Sequence, residues 1–382
     1  MLTQRKLVKS KEIRMPKTSE TLLEIDLGAL EHNYHYLRSR LEPKTKFLAV
    51  VKAYAYGSEA GSIAEKLETL GVDYFAVAYV KEGIALRKAG ITKPILVLHP
   101  QAIHFNKLIE NYLEPSLYSQ KVLREFLEAA KRNNQVDYPV HIKFNTGLNR
   151  LGFPVDGINE IMACIKDRDE IKVTSFFSHL AATEDLNEKE FTLKQIRAFK
   201  KIIPEFEEKL GYSPIKHILN TSGIINYIDA QFDMVRSGIG LYGFGNDPDI
   251  DRLLQPVVTL KTVISQIHKI APNESVGYNR AYSSDKYTIT ATLPLGHADG
   301  IGRQYGNGKA FVNVNGKMAP IIGNVCMDMI MIDVTDIECQ EGDEVVIFGK
   351  KPNADQFAAY AHTISYELVT GISQRITRVL KD

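Results

Sequence analysis

A lysine follows directly on an apolar run near the start of the chain. The segment LAVVKAYAYG, residues 48–57, reads as a buried strand that ends at Lys52. Lysine almost never lies inside a protein unless something is bonded to it. Desolvation and nearby cations lower the pKa of a buried amine from about 10.4, which turns it into a nucleophile toward carbonyl compounds. The segment therefore indicates covalent chemistry at Lys52.

Other reactive side chains stand at or near the ends of later apolar runs. They are Lys143, Arg150, His179, Asn220, Thr221 and Arg236. One such residue alone is more often structural, as a hydrogen-bonded core histidine or a lysine whose stem packs on apolar surface. Several strand ends together favour an active site.

Eight strand-like apolar segments alternate with amphipathic helical patterns over the first two thirds of the chain. They span residues 46–52, 73–80, 94–99, 113–119, 138–145, 171–180, 215–220 and 233–238. This alternation predicts an α/β fold, an N-terminal (β/α)8 TIM-type barrel, with a doubly wound open sheet as the alternative. In a barrel, the reactive residues at the strand ends meet at one mouth.

From about Leu254 the pattern changes to strand-like runs separated by turns, which predicts a mostly-β C-terminal domain. The polar, turn-rich stretch between Asn246 and Gln255 marks the boundary. We therefore predict a basic, flexible arm at residues 1–20, a barrel at 21–250 and a β domain at 251–382.

Composition narrows the classes of partner. The 47 basic residues balance 46 acidic ones, so nucleic acid and anionic membrane surfaces have no electrostatic support. Three cysteines without a CxxC pair argue against a disulfide framework and a structural zinc site, and we predict no metal. The chain has neither a secretory h-region nor the ~20 consecutive apolar residues of a spanning helix. We expect a cytoplasmic protein that acts on small molecules.

Two turns rich in small residues, NTSGI (220–224) and SGIG (237–240), follow the last two predicted barrel strands. Barrels often bind phosphate there, through backbone N–H groups and hydroxyls such as those of Thr221 and Ser222. Tight turns before helices explain the two segments equally well, and neither matches a nucleotide-binding loop. Combined with Lys52, they suggest a phosphorylated aldehyde, for which pyridoxal 5′-phosphate is the obvious candidate.

Several motifs, from about Leu23 to the C-terminus, resemble the alanine racemase family of fold-type III pyridoxal-phosphate enzymes. AVVKAYAYG resembles the family's cofactor motif, which implies that Lys52 forms the Schiff base and that Tyr56 contacts the phosphate. KFNTGLNRLGF resembles a motif whose arginine, here Arg150, contacts the cofactor and the substrate carboxylate. The family's often carbamylated lysine corresponds to Lys143.

Three further motifs, HILNTSGI, VRSGIGLYG and ISYELVTGIS, also match the family. By resemblance, the cofactor is bound by His217, Asn220, Thr221, Arg236, Gly238, Ile239 and Tyr366, with Arg236 facing the pyridine nitrogen. Arg236 implies a racemase rather than a decarboxylase, because a guanidinium keeps its proton and leaves the ring nitrogen unprotonated. The resemblance also links His179 to Arg236.

In the second domain, SVGYNRAY resembles the segment that carries the family's catalytic tyrosine, here Tyr278. GNVCMDM implies that Met327 binds the substrate carboxylate through its backbone and that Asp328 orients the site. The family is a homodimer with shared active sites, so Tyr278 is expected to act across the interface. Racemisation then uses two bases on opposite faces, Lys52 and Tyr278, with His179 and Arg236 in support.

The chain departs from the family's pattern at a few positions. PLGHADG places His297 where a tyrosine is usual at the substrate entrance, Asn145 stands where aspartate is common, Asn149 replaces a small residue, and Asn279 replaces a glycine. The resemblance implies interconversion of L- and D-alanine, which supplies D-alanine for peptidoglycan. The open alternatives are a broader-specificity racemase, because of His297, and a non-catalytic pyridoxal-phosphate carrier.

Overall fold

A computed structural model describes residues 20–245 and 247–381. They divide into two compact units, which we call the barrel unit and the β unit. The barrel unit holds the described parts of residues 24–258, 364–374 and 378–382, and the β unit holds those of 1–23, 259–363 and 375–377. Of the predicted flexible arm, residues 1–19 lie outside the described residues, and the linear domain limits stay predictions.

A short strand and a helix precede the barrel. They are β1 (Leu22–Asp26) and α1 (Leu27–Ser39). Asp26 caps the helix, because its carboxylate accepts a hydrogen bond from the Ala29 backbone N–H at 2.7 Å.

Eight parallel strands form the barrel, as the sequence predicts. They are β2 (Lys46–Val50), β3 (Tyr74–Val77), β4 (Ile95–Val97), β5 (Glu114–Leu117), β6 (Tyr138–Lys143), β7 (Ile171–Phe177), β8 (Ile215–His217) and β9 (Met234–Ser237). The sheet closes between β8 and β9, where Asp233 N–H donates to the Lys216 carbonyl and Arg236 N–H to the Leu219 carbonyl, both at 3.1 Å. This closure rules out the doubly wound alternative.

Helical segments follow the barrel strands. They are α2 (Lys52–Gly57), α3 (Ala60–Thr69), α4 (Val80–Lys88), α5 (Phe105–Glu110), α6 (Gln120–Arg132), α7 (Ile158–Ile165), α8 (Lys189–Leu210), α9 (Thr221–Asn226) and α10 (Pro248–Asp251). In α6, Leu123, Phe126 and Leu127 are buried at helical spacing, and Phe126 meets Phe105 of α5 edge to face at 5.1 Å. None of the helices in residues 20–245 and 247–381 is both long and apolar enough to cross a membrane.

The β unit consists mostly of strands, as predicted, and the structure shows that they pair antiparallel. The strands are β10 (Val258–Val263), β11 (Gln266–Ile270), β12 (Ser275–Val276), β13 (Tyr282–Ser283), β14 (Thr288–Leu293), β15 (Phe311–Val314), β16 (Lys317–Ile322), β17 (Ile330–Asp333) and β18 (Glu344–Phe348). Burial alternates along β10 and β17, which is the pattern of a sheet with one covered face. The chain ends with α11 (Ala354–Ala359), α12 (Ser365–Gly371) and β19 (Thr377–Lys381).

Candidate active site

Lys52 lies two residues beyond the end of β2, so the strand is shorter than the sequence predicts. The next four residues, Ala53 to Tyr56, have φ angles of 53° to 56° and form a left-handed turn without a glycine. Such a turn costs roughly 1–2 kcal/mol per residue, so neighbouring groups must hold it. One of them is Glu82, whose carboxylate accepts the Ala53 N–H at 2.7 Å. The turn aims Lys52 and Tyr56 from fixed backbone positions.

Four basic residues lie close together at the mouth of the barrel, namely Lys52, Lys143, Arg150 and Arg236. Burial and then Arg150 lower the pKa of Lys52, and burial followed by Arg150, Arg236 and Lys52 lowers the pKa of Lys143 to about 8. Both amines therefore lose their protons more readily than free lysine does. The same concentration of positive charge suits a phosphate and a substrate carboxylate.

Arg150 is carried by a tight loop after β6, and two of the departures from the family meet in that loop. Asn145 donates from its amide to the Asn149 side-chain oxygen at 2.9 Å, and its own oxygen accepts the backbone N–H groups of Gly147 and Asn149 at 3.1 and 3.0 Å. An aspartate could accept these two bonds but could not donate the third. The two asparagines are therefore a matched pair.

Arg236 of β9 is buried and has four hydrogen-bond acceptors. It contacts the His217 Nδ1 at 2.7 Å, the Ser178 and Ile218 carbonyls at 2.7 and 3.1 Å, and the His179 Nδ1 at 3.2 Å. Burial, and then Arg150, lowers its pKa to about 9. The guanidinium is thus fixed in direction, and the predicted link between His179 and Arg236 is present.

Both histidines favour the neutral form. Burial, followed by the charge of Arg236, lowers the pKa of His179 and of His217 well below the usual value. His217 also stacks on Phe177, with ring centroids 4.7 Å apart and planes 7° from parallel. A neutral imidazole can accept a hydrogen bond from an arginine, which a protonated one cannot do.

The Tyr56 phenol lies directly against the backbone of Gly238. A β-carbon at Gly238 would stand 2.1 Å from the Tyr56 hydroxyl oxygen, so only glycine fits there. The Tyr56 ring also meets the rings of Tyr242 and Tyr366, with centroids 4.7 and 6.1 Å apart. Tyr366, although distant in sequence, belongs to the same unit and the same aromatic cluster.

The two predicted turns lie side by side next to this cluster. Asn220 caps α9 by accepting the Gly223 N–H at 2.9 Å. Thr221 exchanges a hydrogen bond with Ser237 at 3.0 Å and accepts the Gly240 N–H at 3.3 Å. Gly238 and Ile239 belong to the second turn. Together the two turns present hydroxyl and backbone groups of the kind that bind phosphate. A readily deprotonated lysine and this glycine-lined cradle fit pyridoxal 5′-phosphate.

The remaining predicted residues belong to the β unit. Tyr278 is 72% exposed and stands between Gly277 at φ 75° and Asn279 at φ 57°. Asparagine is among the few side chains that adopt positive φ readily, which explains why Asn279 can replace a glycine. Asn324 anchors the turn by donating to the Tyr278 carbonyl at 3.1 Å.

His297, Met327 and Asp328 lie on two loops of the β unit that are bonded to each other. The N–H of His297 donates to the Cys326 carbonyl and that of Ala298 to the Met327 carbonyl, both at 3.0 Å. Met327 is 59% exposed. The backbone bonds place His297 beside the loop expected to bind the substrate carboxylate.

Arg375 ties the same two loops together, and the sequence analysis missed it. Its guanidinium contacts Asp299 at 2.6 and 2.9 Å and Asp328 at 2.7 Å. Asp299 is buried and belongs to the PLGHADG loop. Arg375 is far from both motifs in sequence, so no local pattern could have revealed it.

Family models match both parts of the chain. One described as "Alanine racemase, N-terminal domain" matches residues 25–246, and one described as "Alanine racemase, C-terminal domain" matches residues 257–380. Alanine racemase 1 of Clostridium acetobutylicum is 37% identical over 366 residues, which cover 93% of this chain and 94% of that protein.

Solved structures agree with these matches. An alanine racemase of Clostridium difficile superimposes with a TM-score of 0.90 at 34% identity, covering 95% of this chain and 96% of the other. An alanine racemase of Bartonella henselae with covalently bound pyridoxal phosphate has a TM-score of 0.86 at 28% identity, covering 95% and 100%.

Proposed function

This chain belongs to the alanine racemase family and interconverts L- and D-alanine with pyridoxal 5′-phosphate, and from this premise we propose which of its residues carry the reaction. The main observation in support is the position of Lys52. Its pKa is lowered, and it begins the left-handed turn that also places Tyr56 against Gly238. The bound cofactor supplies an electron-withdrawing ring that acidifies the α-hydrogen of alanine.

Lys52 is the residue that binds the cofactor's aldehyde and then acts as a base. Burial and Arg150 lower its pKa, and its Nζ accepts the α-proton from one face of the substrate or, in the reverse reaction, donates a proton to that face. Tyr56, Tyr366, Asn220, Thr221 and the backbone of Gly238 and Ile239 hold the phosphate. Arg236, fixed by four hydrogen bonds, faces the ring nitrogen without giving up its proton, with His217 behind it.

Tyr278 is the second base and exchanges a proton with the opposite face of the substrate through its hydroxyl. Its high exposure in this chain supports a shared site, because a general base must be shielded and positioned when it acts. We propose a homodimer in which the Tyr278 of one subunit serves the barrel of the other, next to His179.

The substrate carboxylate is bound by Arg150 and by the backbone N–H of Met327, whose loop Asp328 and His297 help to shape. Lys143 is proposed to be carbamylated, since its pKa of about 8 leaves part of the amine unprotonated and able to react with carbon dioxide. The product would cancel part of the positive charge around Arg150. We place the enzyme in the cytoplasm, where it supplies D-alanine for peptidoglycan.

Borohydride reduction of the holoenzyme, followed by peptide mapping, tests the cofactor assignment. We expect the cofactor's absorbance band to disappear and the label to map to Lys52. A Lys143→Met variant is the matched control, since it removes the other lysine of the barrel mouth and should keep the label. A label on any other residue would contradict the assignment, and turnover of lysine, arginine or serine enantiomers without alanine would contradict the substrate.

A further inference from the structure

A chain of hydrogen bonds crosses the barrel from Arg236 to Glu114. Arg236 contacts the His217 Nδ1 at 2.7 Å, the His217 Nε2 contacts the Ser175 Oγ at 3.0 Å, the Ser175 Oγ contacts the His141 Nδ1 at 2.5 Å, and the His141 Nε2 contacts Glu114 at 2.7 Å. The five residues come from five consecutive strands, β9 to β5, and none is more than 8% exposed. We call this chain the relay.

The two ends of the relay fix its direction. Arginine can only donate hydrogen bonds, and a carboxylate can only accept them. His217 must therefore accept at Nδ1 and donate from Nε2 to Ser175, and His141 donates from Nε2 to Glu114. His217 is consequently neutral with its proton on Nε2, and the Ser175 hydroxyl completes the relay by donating to the Nδ1 of His141 when that nitrogen carries no proton.

The relay also meets an electrostatic need. Taking a cation out of water costs several kcal/mol unless it is paired. Among the described residues, the four hydrogen-bond partners of Arg236 are two imidazoles and two carbonyls, none of which carries a negative charge. Glu114 is the carboxylate to which the relay connects it. Aligned dipoles between the two charges stabilise both ends.

We propose that Glu114 is the remote counter-charge of Arg236 and that Glu114, His141 and Ser175 are positioning residues for the racemase reaction. They hold His217 as a neutral acceptor, so that the guanidinium keeps the orientation it needs toward the cofactor ring. This inference rests on the proposed placement of Arg236 at the ring nitrogen. Glu114, His141 and Ser175 lie outside the motifs named above.

Ser175→Ala tests the proposal in the holoenzyme, because it removes the middle of the relay and leaves both charged ends. Ser116→Ala is the matched control: Ser116 is equally buried, pairs in register with His141 on the neighbouring strand, and its hydroxyl has no hydrogen-bond partner among the described residues. Ser175→Cys, which fills the place of the hydroxyl with a thiol that hydrogen-bonds only weakly, serves if the alanine variant folds poorly.

Two measurements are made on each variant. Nitrogen-15 spectra of labelled histidines should show two buried Nε2–H imidazoles in the wild type and in Ser116→Ala, and a changed His217 signal in Ser175→Ala. The kcat should fall about tenfold with the KM for alanine unchanged, which corresponds to a rise of about 1.4 kcal/mol in the activation barrier. Glu114→Gln, which removes the negative charge, should lower kcat by a similar factor.

Ser175→Ala spectra and kcat that match those of Ser116→Ala would overturn the relay. A changed histidine spectrum with an unchanged kcat would instead overturn the link between the relay and catalysis, and it would leave the placement of Arg236 at the ring untouched, because the Ser178 and Ile218 carbonyls still hold the guanidinium. The spectra do not depend on the identity of the base at Lys52, so failure of the borohydride mapping is a separate result.

Discussion

The two units present their site residues in opposite ways. In the barrel unit, Arg236 and His217 are buried and held by several hydrogen bonds each. In the β unit, Tyr278 and Met327 are 72% and 59% exposed and are held through the backbone of their loops. A reaction centre needs preorganised donors in a place without bulk water. The barrel unit meets that condition within itself, whereas the residues of the β unit meet it only when another surface covers them.

Removing the hydroxyl of Tyr278 tests the exposed side of this comparison and should have the largest effect. We expect Tyr278→Phe to lower the racemisation rate about a thousandfold, within the range for loss of a general base. Cofactor absorbance and melting temperature should not change, because the side chain is exposed. Tyr287→Phe, at a tyrosine that is 74% exposed in the same unit, is the control and should be fully active. Undiminished activity of Tyr278→Phe would contradict the two-base mechanism.

Lys143 tests the buried residues of the barrel unit, and the quantity measured is the free energy of unfolding rather than the reaction rate. Its pKa falls from 10.5 in the unfolded chain to about 8 in the fold. Between these two pKa values the unfolded chain binds the proton and the folded chain does not, so the unfolding free energy rises with pH. Below about pH 8 both states are protonated, and the full energetic penalty of burying the charged Lys143 destabilises the fold. We expect Lys143→Met to be about 3 kcal/mol more stable than the wild type at pH 7, since one pKa unit is 1.36 kcal/mol.

Denaturant titrations in buffer free of carbon dioxide, from pH 7 to 10.5, measure this difference. The advantage of Lys143→Met should shrink steadily toward pH 10.5. A difference that is constant with pH would show that the charge of Lys143 is not what destabilises the barrel.

The loop that carries Arg150 belongs to the barrel unit, but it is less buried than Arg236 and His217. Asn145→Asp removes the donor to Asn149 and brings two acceptor oxygens together, which should cost about 1 kcal/mol. We expect a roughly fivefold rise in the KM for alanine with little change in kcat. The double variant Asn145→Asp/Asn149→Ser should recover most of the loss in a double-mutant cycle that includes Asn149→Ser alone. A free-energy change of the double variant equal to the sum of the two single changes would mean that the two asparagines are not coupled.

The turn after Tyr278 gives the smallest effect. Asn279 has a φ of 57°, which glycine and asparagine tolerate and alanine does not. Asn279→Ala should lower the unfolding free energy by about 1 kcal/mol, and Asn279→Gly should change it by a few tenths at most. Chemical denaturation of the three proteins measures both values, and an alanine variant as stable as the wild type would refute the backbone argument.

Sequence patterns predicted the fold well, because continuous apolar runs and helical periodicity are local signals. All eight barrel strands lie within the predicted segments, and the antiparallel β unit follows where the pattern changes. Lys52 could be selected because a lysine next to a buried run is unusual. Arg150 and Tyr278 needed the family resemblance, because an arginine or tyrosine in a polar loop has no distinctive local pattern.

Other features depend on long-range geometry. The left-handed turn after Lys52 contains two alanines and two tyrosines, residues that do not favour positive φ, so no propensity predicts it. The relay brings Glu114, His141 and Ser175 together only after the strands are in register. A hint existed, since each is a polar residue within a predicted barrel strand. Their connection could be recognised only in three dimensions.

The packing around Gly57 determines when the turn that follows Lys52 can form during synthesis of the chain. A β-carbon there would lie 2.0 Å from the Val369 carbonyl, and the Gly57 carbonyl accepts a hydrogen bond from Arg378 at 3.0 Å. The lysine turn is therefore packed against residues that leave the ribosome more than three hundred positions later. We expect truncations that end at residue 363 to lose cofactor absorbance, because they lack the segment that packs against Gly57.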